Sequence, residues 1–396
     1  MTADKQAITL IKNMVNCANI GDLDQACTHA ETYIEQIKYP RLSDLRNIGV
    51  LFTRANKYAL ALFVYHWALR LHPNDIQTHY NLAYTHFLFG KLQAGWSYFE
   101  WRFKLDSIKK TQAERSLGHF KDRRWLGINT LQDKHLILWA EQGYGDMIMM
   151  LRYLPLIKAK GAYIELLLPS NWHALIPLLQ NHPHIDRLTL DWSNLDDQHD
   201  YHCSLFSLPL ALNTDERAIP KPFPIAQDAH QKQQFQASIK AKFGENHKPL
   251  IGIVLQGGVH LGKSKERNFS IDAAKALLEN LSESYHFVNL QRDPQPQFTE
   301  LFNQYGVMDG IKIDDFKQLA SLIDCCDCVV GVDTAILHLS ASMEIDTHMF
   351  LYYENDWRWQ LKRDDSPWYP ALKLYRQPIA GEWMQAITHF LKRSLL

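Results

Sequence analysis

The chain has 396 residues, 46% hydrophobic and 21% charged, the balance of a soluble globular protein long enough for two or three domains. Its 42 basic and 43 acidic side chains nearly cancel, and no basic arm or stripe stands out, which argues against nucleic acid as a partner. No apolar run reaches the roughly 18 residues of a membrane span, and the opening MTADKQAITLIKNM lacks a signal-peptide pattern, so the expectation is a cytoplasmic protein without a transmembrane segment.

The first elements are helices in a repeating pattern. Leu45, Ile48, Gly49, Phe52, Ala61, Tyr65, Ala68 and Pro73 form one unit, and His79, Leu82, Ala83, His86, Gly95 and Phe99 hold equivalent places 34 positions later. A degenerate earlier copy spans residues 7–40, with Gly21, Ala26 and Ala30. This resembles the tetratricopeptide repeat, in which small residues let two antiparallel helices pack closely.

From about residue 130 the pattern becomes alternating strands and helices. Short apolar runs (HLILWA, AYIELLLP, LIGIVL, HFVNL, CVVGVD, THMFLYY) are separated by helical periodicity, as in a parallel sheet covered on both faces. A polar stretch from Lys221 to Lys248 brackets a predicted helix and marks the boundary between two α/β halves. Two such lobes enclose a cleft, the usual place for a ligand. The final helix, Trp383 to Leu395, is expected to pack back onto the first lobe.

Within ILWAEQGYGDMIMMLRY (137–153), a strand, a loop and an amphipathic helix put Glu141 and Asp146 at the carboxyl edge of a sheet. Gly143 and Gly145 would let the backbone turn and let a ligand come close. Asp146 is placed at or near the N-cap of the helix, so capping and catalysis are both open readings for it. After Leu250–Leu255, the loop QGGVHLGKSKERN carries Gly257, Gly258, Gly262, Lys263, Lys265 and Arg267, which suits a phosphate-bearing ligand but equally a solvated loop. Asn289-Leu290-Gln291 ends a strand at the same edge. Cys325, Cys326 and Cys328 have no second ligand pair at metal spacing and read as buried core.

In VVGVDTAILHLSASM, a strand ends at Asp333-Thr334 and a helix begins at once, so its free N–H groups and positive end are ready for a diphosphate. His338 lies one turn in, on a face with Ser342. In NDWRWQLKRDDSPWYP (355–370), Trp357, Trp359, Trp368 and Tyr369 with Arg358 and Arg363 suit a base, sugar or phosphate, and also suit packing between domains.

From Trp96 onward the chain resembles bacterial tetratricopeptide proteins carrying a glycosyltransferase family 9-like (heptosyltransferase-like) domain. The matching stretches are GWSYFEWRF, RWLGINTLQDKHLILWAEQGYGDMIMMLRYLP, FSLP, RNFS, VNLQ, VDTAILHL, DWRW and SPWYP. The resemblance implies an α/β GT-B fold, two Rossmann-like lobes, preceded by an all-α tetratricopeptide-repeat domain. The expected domains are 1–120 for the repeats, 121–240 for the acceptor-side lobe and 241–396 for the nucleotide-sugar-binding lobe. It implies Asp146 as base, with Glu141 competing, and Asp333, Thr334 and His338 at the donor phosphates. Around these, Gln256, Gly257, Lys263, Lys265, Arg267, Gln291, Ala335, Trp357 and Arg358 are expected on the donor side. Gln142, Gly143, Tyr144, Gly145 and Arg152 are expected on the acceptor side. Relatives commonly read Trp-Ala-Gly-Asn where this chain has Leu255-Gln256-Gly257-Gly258, and Gly where it has Ala335.

The implied reaction is inverting transfer of a sugar from a nucleotide-diphosphate donor to an acceptor hydroxyl or amide. No cofactor beyond the nucleotide-sugar co-substrate and no metal is expected. The repeats suggest a protein or peptide acceptor; packing on the lobes or homo-oligomer formation is their alternative use. Two rivals remain: an inactive transferase-like scaffold, and a nicotinamide oxidoreductase, which lacks GxGxxG and its ribose-binding acid.

Overall fold

The computed structural model describes residues 3–105, 123–195, 198–226, 228–257 and 264–394. Two compact units divide the chain. One takes residues up to Gly118 with Asn213–Arg217 and Asp356–Leu361; the other takes His119–Leu212, Ala218–Asn355 and Lys362–Leu396.

The first unit is helical. Its helices are α1 (Ala3–Asn19), α2 (Leu23–Gln36), α3 (Leu42–Arg54), α4 (Tyr58–Leu71), α5 (Ile76–Leu88) and α6 (Leu92–Phe99). They pack as successive pairs, α1 on α2, α3 on α4 and α5 on α6. Asp22 and Asp75 cap α2 and α5 by accepting from the N–H groups of Gln25 and Thr78 at 3.0 and 2.9 Å. Close approach within a pair depends on missing side chains: a Cβ on Gly49 would lie 2.4 Å from the Tyr65 ring, and one on Gly95 2.4 Å from the Phe87 ring. Ala26, Ala30, Leu45, Ile48, Phe52, Ala61 and Ala68 fill the core between them.

The second unit holds two parallel sheets. In chain order the first lobe contains β1 (His135–Trp139), α7 (Tyr144–Met150), β2 (Tyr163–Leu168), β3 (Arg187–Leu190) and β4 (Tyr201–Ser204). Its sheet runs β3-β2-β1-β4, with Trp139 opposite both Leu167 and Ser204. After α8 (Ala229–Phe243) come β5 (Leu250–Val254), α9 (Ser264–Arg267), α10 (Ile271–Leu281), β6 (His286–Asn289), α11 (Pro296–Gln304) and α12 (Phe316–Ile323). They are followed by β7 (Cys328–Val332), α13 (Ala335–Ser342), β8 (Asp346–Leu351), β9 (Leu372–Arg376) and α14 (Trp383–Ser394). The second sheet runs β6-β5-β7-β8-β9. Two doubly wound parallel sheets in succession are the plan of a GT-B-like fold, and every strand of a sheet ends on the same edge.

Three strands, β3, β4 and β9, lie outside the apolar runs of the sequence. RLTL, YHCS and LKLYR are short and carry polar residues, so their apolar signal is weak. The expected boundary at 120/121 lies outside the described residues. The one at 240/241 falls inside α8, which packs on α12 and stacks Phe243 on His286 of β6 at 4.2 Å. The last helix is a correction. Instead of covering the first lobe, α14 lays Trp383, Ala386, Ile387 and Phe390 into the second lobe's core with Ile253, Phe269, Phe350 and Tyr375. That i, i+3, i+4, i+7 stripe is one helix face, and removing each large side chain from water stabilises by about 1.5–3 kcal/mol.

Of the cysteines read as core, Cys326 is buried while Cys325 and Cys328 are partly buried, and burial pushes the Cys325 and Cys328 thiols up to about 11 and about 12. Among the described residues no helix is long and apolar enough to cross a membrane.

Candidate active site

The wall built by the first lobe starts where β1 ends. Gln142 takes the left-handed turn, with φ 67°, and Gly143 is extended at the N-cap of α7. The sharp turn expected at Gly143 and Gly145 is thus made at Gln142, and neither glycine has a positive φ. Asp146 sits at the third position of α7, not at the cap, and its Oδ2 accepts the Gly143 N–H at 2.9 Å. Glu141 accepts a hydrogen bond from the Ser204 hydroxyl at the end of β4. Arg124, whose pKa burial lowers, lies within the electrostatic reach of Glu141 and donates to Ser207 Oγ at 3.1 Å. Tyr144 packs between Trp172 of this lobe and Phe316 of the other, at ring distances of 4.6 and 5.1 Å, and burial raises its pKa.

The wall built by the second lobe is the start of α13. Asp333 is buried at the end of β7, and Thr334 is the N-cap residue. A threonine here ordinarily caps its own helix. This one makes no capping bond, and its buried Oγ1 has no hydrogen-bond partner among the described residues. The first turn of any helix also leaves backbone N–H groups without intrahelical acceptors, here beginning at Ala335. Arg267 approaches from α9, with Nη1 3.4 Å from the Asp333 carbonyl oxygen, while its buried Nε finds no partner among the described residues.

Gly257 completes this wall. Its N–H donates to Asn268 Oδ1 at 2.8 Å, and a Cβ there would lie 3.9 Å from Thr334 Cγ2. Gln256 and Gln291 are used in holding the loops: Gln291 Oε1 accepts from the Leu255 and Gln256 N–H groups, and its Nε2 donates to Gln256 Oε1 at 3.1 Å. Lys263 lies outside the described residues, as does the side chain of Lys265.

The two walls meet at Gly145. A Cβ there would lie 2.6 Å from His338 Cδ2, so the absence of a side chain lets a helix of one lobe rest on a histidine of the other. His338 is 3% exposed; its Nδ1 is 2.8 Å from the Tyr369 hydroxyl and its Nε2 3.7 Å from Asp333 Oδ1. Asp146 is thus one residue from the contact, and Thr334 four residues from it on the other side.

Some expected residues go elsewhere. Arg152 does not line the acceptor side: it is 2% exposed and donates to the carbonyl oxygens of Met149, Pro220 and Trp368 at 2.7, 3.1 and 2.6 Å. A guanidinium with five donors is suited to tie together segments distant in sequence. Trp357 and Arg358 belong to the helical unit. Trp357 packs on Phe87 and Trp96 at 4.6 and 5.7 Å, and Arg358 pairs with Asp356 at 3.1 Å. Tyr369, Ser204 and Asn268 were missed as site partners. Tyr369 is one aromatic of SPWYP with nothing in the sequence tying it to His338, and Ser204 ends a short strand, YHCS, whose apolar signal is weak.

Comparison with known proteins finds one family model that matches part of the chain. Residues 314–347 match the model of glycosyltransferase family 9 (heptosyltransferase). That segment runs from just before α12 through β7 and α13 into β8, and contains the Asp333–His338 wall.

Among individual proteins, the chain is similar to Protein FlbA of Caulobacter vibrioides, 26% identical over 322 residues, covering 74% of this chain and 51% of that one. The chain therefore spans about half the length of that relative. Similar solved structures include a family 9 glycosyl transferase from Veillonella parvula, at 12% identity and TM-score 0.49, covering 68% of this chain and 91% of that one. Another is the ADP-heptose lps heptosyltransferase II of E. coli, at 13% identity and TM-score 0.47, covering 66% and 100%.

Proposed function

We propose that the chain is an inverting glycosyltransferase that moves a sugar from a nucleotide-diphosphate donor to an acceptor without a metal. The acceptor oxygen or nitrogen attacks the anomeric carbon, its proton passes to Asp146, and the bond from that carbon to the diphosphate oxygen breaks. The departing diphosphate is held by the Thr334 hydroxyl, the N–H groups at the start of α13 and Arg267. One observation carries this reading: among the described residues, the hydroxyl of Thr334 and the Nε of Arg267 lie buried without hydrogen-bond partners at the helix start that faces α7. Buried donors left unpaired cost stability, so such a pair points to an anionic ligand that completes it.

The bond from Gly143 N–H does not disqualify Asp146 as base. An ionised carboxylate offers about four lone-pair sites, so one backbone donor leaves room for an acceptor proton. Replacing Asp146 by Asn should lower turnover about 10²–10⁴-fold while nucleotide binding persists. Full activity in that variant refutes the assignment and leaves Glu141 as the next candidate. Chelation with EDTA should leave activity unchanged.

The helix pairs of the first unit are proposed to be tetratricopeptide repeats that recognise a polypeptide acceptor. In support, Gly49 and Gly95 sit where that repeat needs small residues for close helix packing. A pull-down in which residues 1–105 change nothing in partner recovery by the full chain counts against it.

A second reading has its own support. Asp146 already makes the bond of a helix-capping carboxylate, and Glu141 is already bonded to Ser204, as in a scaffold with no chemistry. A thermal-shift panel of UDP, GDP, ADP and CMP sugars separates the two, since silence throughout favours the scaffold.

A further inference from the structure

Arg152 lies near the end of the helical run that carries Asp146, because α7 continues through the turn Leu151–Tyr153 with its backbone still helical. The side chain is 2% exposed, and no carboxylate pairs with it among the described residues. A buried charge without a counter-ion is unfavourable, so the groups it holds are informative. Its Nε donates to the Met149 carbonyl at 2.7 Å, within its own run. Its Nη1 reaches two carbonyls outside that run. Pro220, on the segment from β4 to α8, accepts at 3.1 Å, and Trp368, on the second lobe's loop from β8 to β9, accepts at 2.6 Å. The guanidinium carbon also lies 5.5 and 4.9 Å from the ring centres of Trp368 and Tyr369, both buried.

A second attachment holds the other end of the same run. Gly145 rests on His338, whose Nδ1 is 2.8 Å from the hydroxyl of Tyr369, the neighbour of Trp368. Tyr144 packs on Phe316 of α12 at 5.1 Å. Asp146 lies between the two attachments. The lobes therefore cannot part around it without breaking a hydrogen bond from a charged group and wetting buried rings. We infer that Arg152 is a positioning residue: together with the Gly145–His338 contact it locks the lobes and sets Asp146 opposite α13 before any ligand arrives. The groove is then preset and does not close on its substrate. The consequence for catalysis rests on the proposed roles of Asp146 and α13, but the lock itself does not.

The test is hydrogen–deuterium exchange of the full chain, read by mass spectrometry segment by segment. In Arg152→Gln, residues 144–153 and 362–371 should exchange about tenfold faster than in the wild type, the loss expected of one hydrogen bond to a charged group. Segments carrying β1 and β7 should keep their rates, which a merely structural role for the arginine would not allow. In the wild type, saturating inorganic pyrophosphate should leave 144–153 and 362–371 unchanged, because the lobes are already joined. Calorimetry should give Arg152→Gln the wild-type affinity for pyrophosphate, since the Thr334 hydroxyl and Arg267 both belong to the second lobe. Uniform acceleration across both sheets, or none at the two segments, overturns the lock. So does slowing of both segments by pyrophosphate in the wild type, the mark of a cleft that closes on its ligand. Lost pyrophosphate affinity in Arg152→Gln overturns it as well, since the damage then lies inside the second lobe. If the wild type binds no pyrophosphate, the diphosphate reading of α13 fails, while exchange without ligand still decides the lock. Should Arg152→Gln not fold, Arg152→Lys, which keeps the charge but not the planar fork, carries the test with the same expected pattern.

Discussion

The two walls of the candidate site differ in how far their polar groups are satisfied. On the first lobe, Asp146 is bonded to the Gly143 N–H and Glu141 to the Ser204 hydroxyl. On the second, the Thr334 hydroxyl and the Arg267 Nε are buried without partners among the described residues. The cost of a buried unpaired donor, about 1–3 kcal/mol each, falls here on the second lobe's wall. A wall that keeps its donors open is pre-organised for a ligand. On the opposite wall each carboxylate already holds one donor, and only its remaining lone pairs are open to an acceptor proton.

That contrast can be broken most severely at the junction. Gly145→Ala places a Cβ 2.6 Å from His338 Cδ2, so the two helices must move apart. A displacement of about 1 Å between reacting groups costs about a hundredfold in turnover, and we expect that loss in kcat with the fold intact by circular dichroism. Unchanged kcat means that the walls do not act as one site.

The open donors come next. Thr334→Val keeps the shape and removes the hydroxyl, and should weaken nucleotide-diphosphate binding about tenfold in calorimetry while slightly raising the melting temperature. The opposite pattern, lost stability with binding unchanged, shows the hydroxyl to be structural.

The smallest effect lies at the far edge of the second sheet. The Asp346 carboxyl is held at about 2, first by the His348 hydrogen bond and also by Lys373. Its folded value is depressed, so its contribution is present above the unfolded value near 3.8 and is lost as pH falls towards 2. The side chain is 47% exposed, so solvent screens the pair and Asp346→Asn should cost only about 0–1 kcal/mol at neutral pH. Urea midpoints should separate the variants at pH 6 and converge near pH 2, with nucleotide affinity unaffected. An effect on nucleotide affinity would erase the distinction between a paired edge and an open one.

The sequence exposed the strand–loop–helix units at 137–153 and 328–342 because each combines a strong apolar run with an abrupt polar start of a helix. It could not separate a capping aspartate from a base, since both need a carboxylate at a helix start. Arg152 illustrates a different blindness. Its acceptors are the carbonyls of Met149, Pro220 and Trp368, and a backbone oxygen leaves no trace in residue identity. Trp357 was drawn towards the donor side by its chemistry, yet Phe87 and Trp96 supply the apolar contacts that bury it in the helical unit.

What the sequence settled by itself was local: paired helices first, then strands and helices in alternation, with Asp333 and Thr334 opening a helix. Periodicity and capping chemistry act over a few residues, so they survive in the linear text. What only the tertiary structure decided was which distant groups meet: Gly145 with His338, His338 with Tyr369, and α14 with the second core. Those meetings depend on excluded volume and on which buried donors find acceptors, and both are properties of the folded chain.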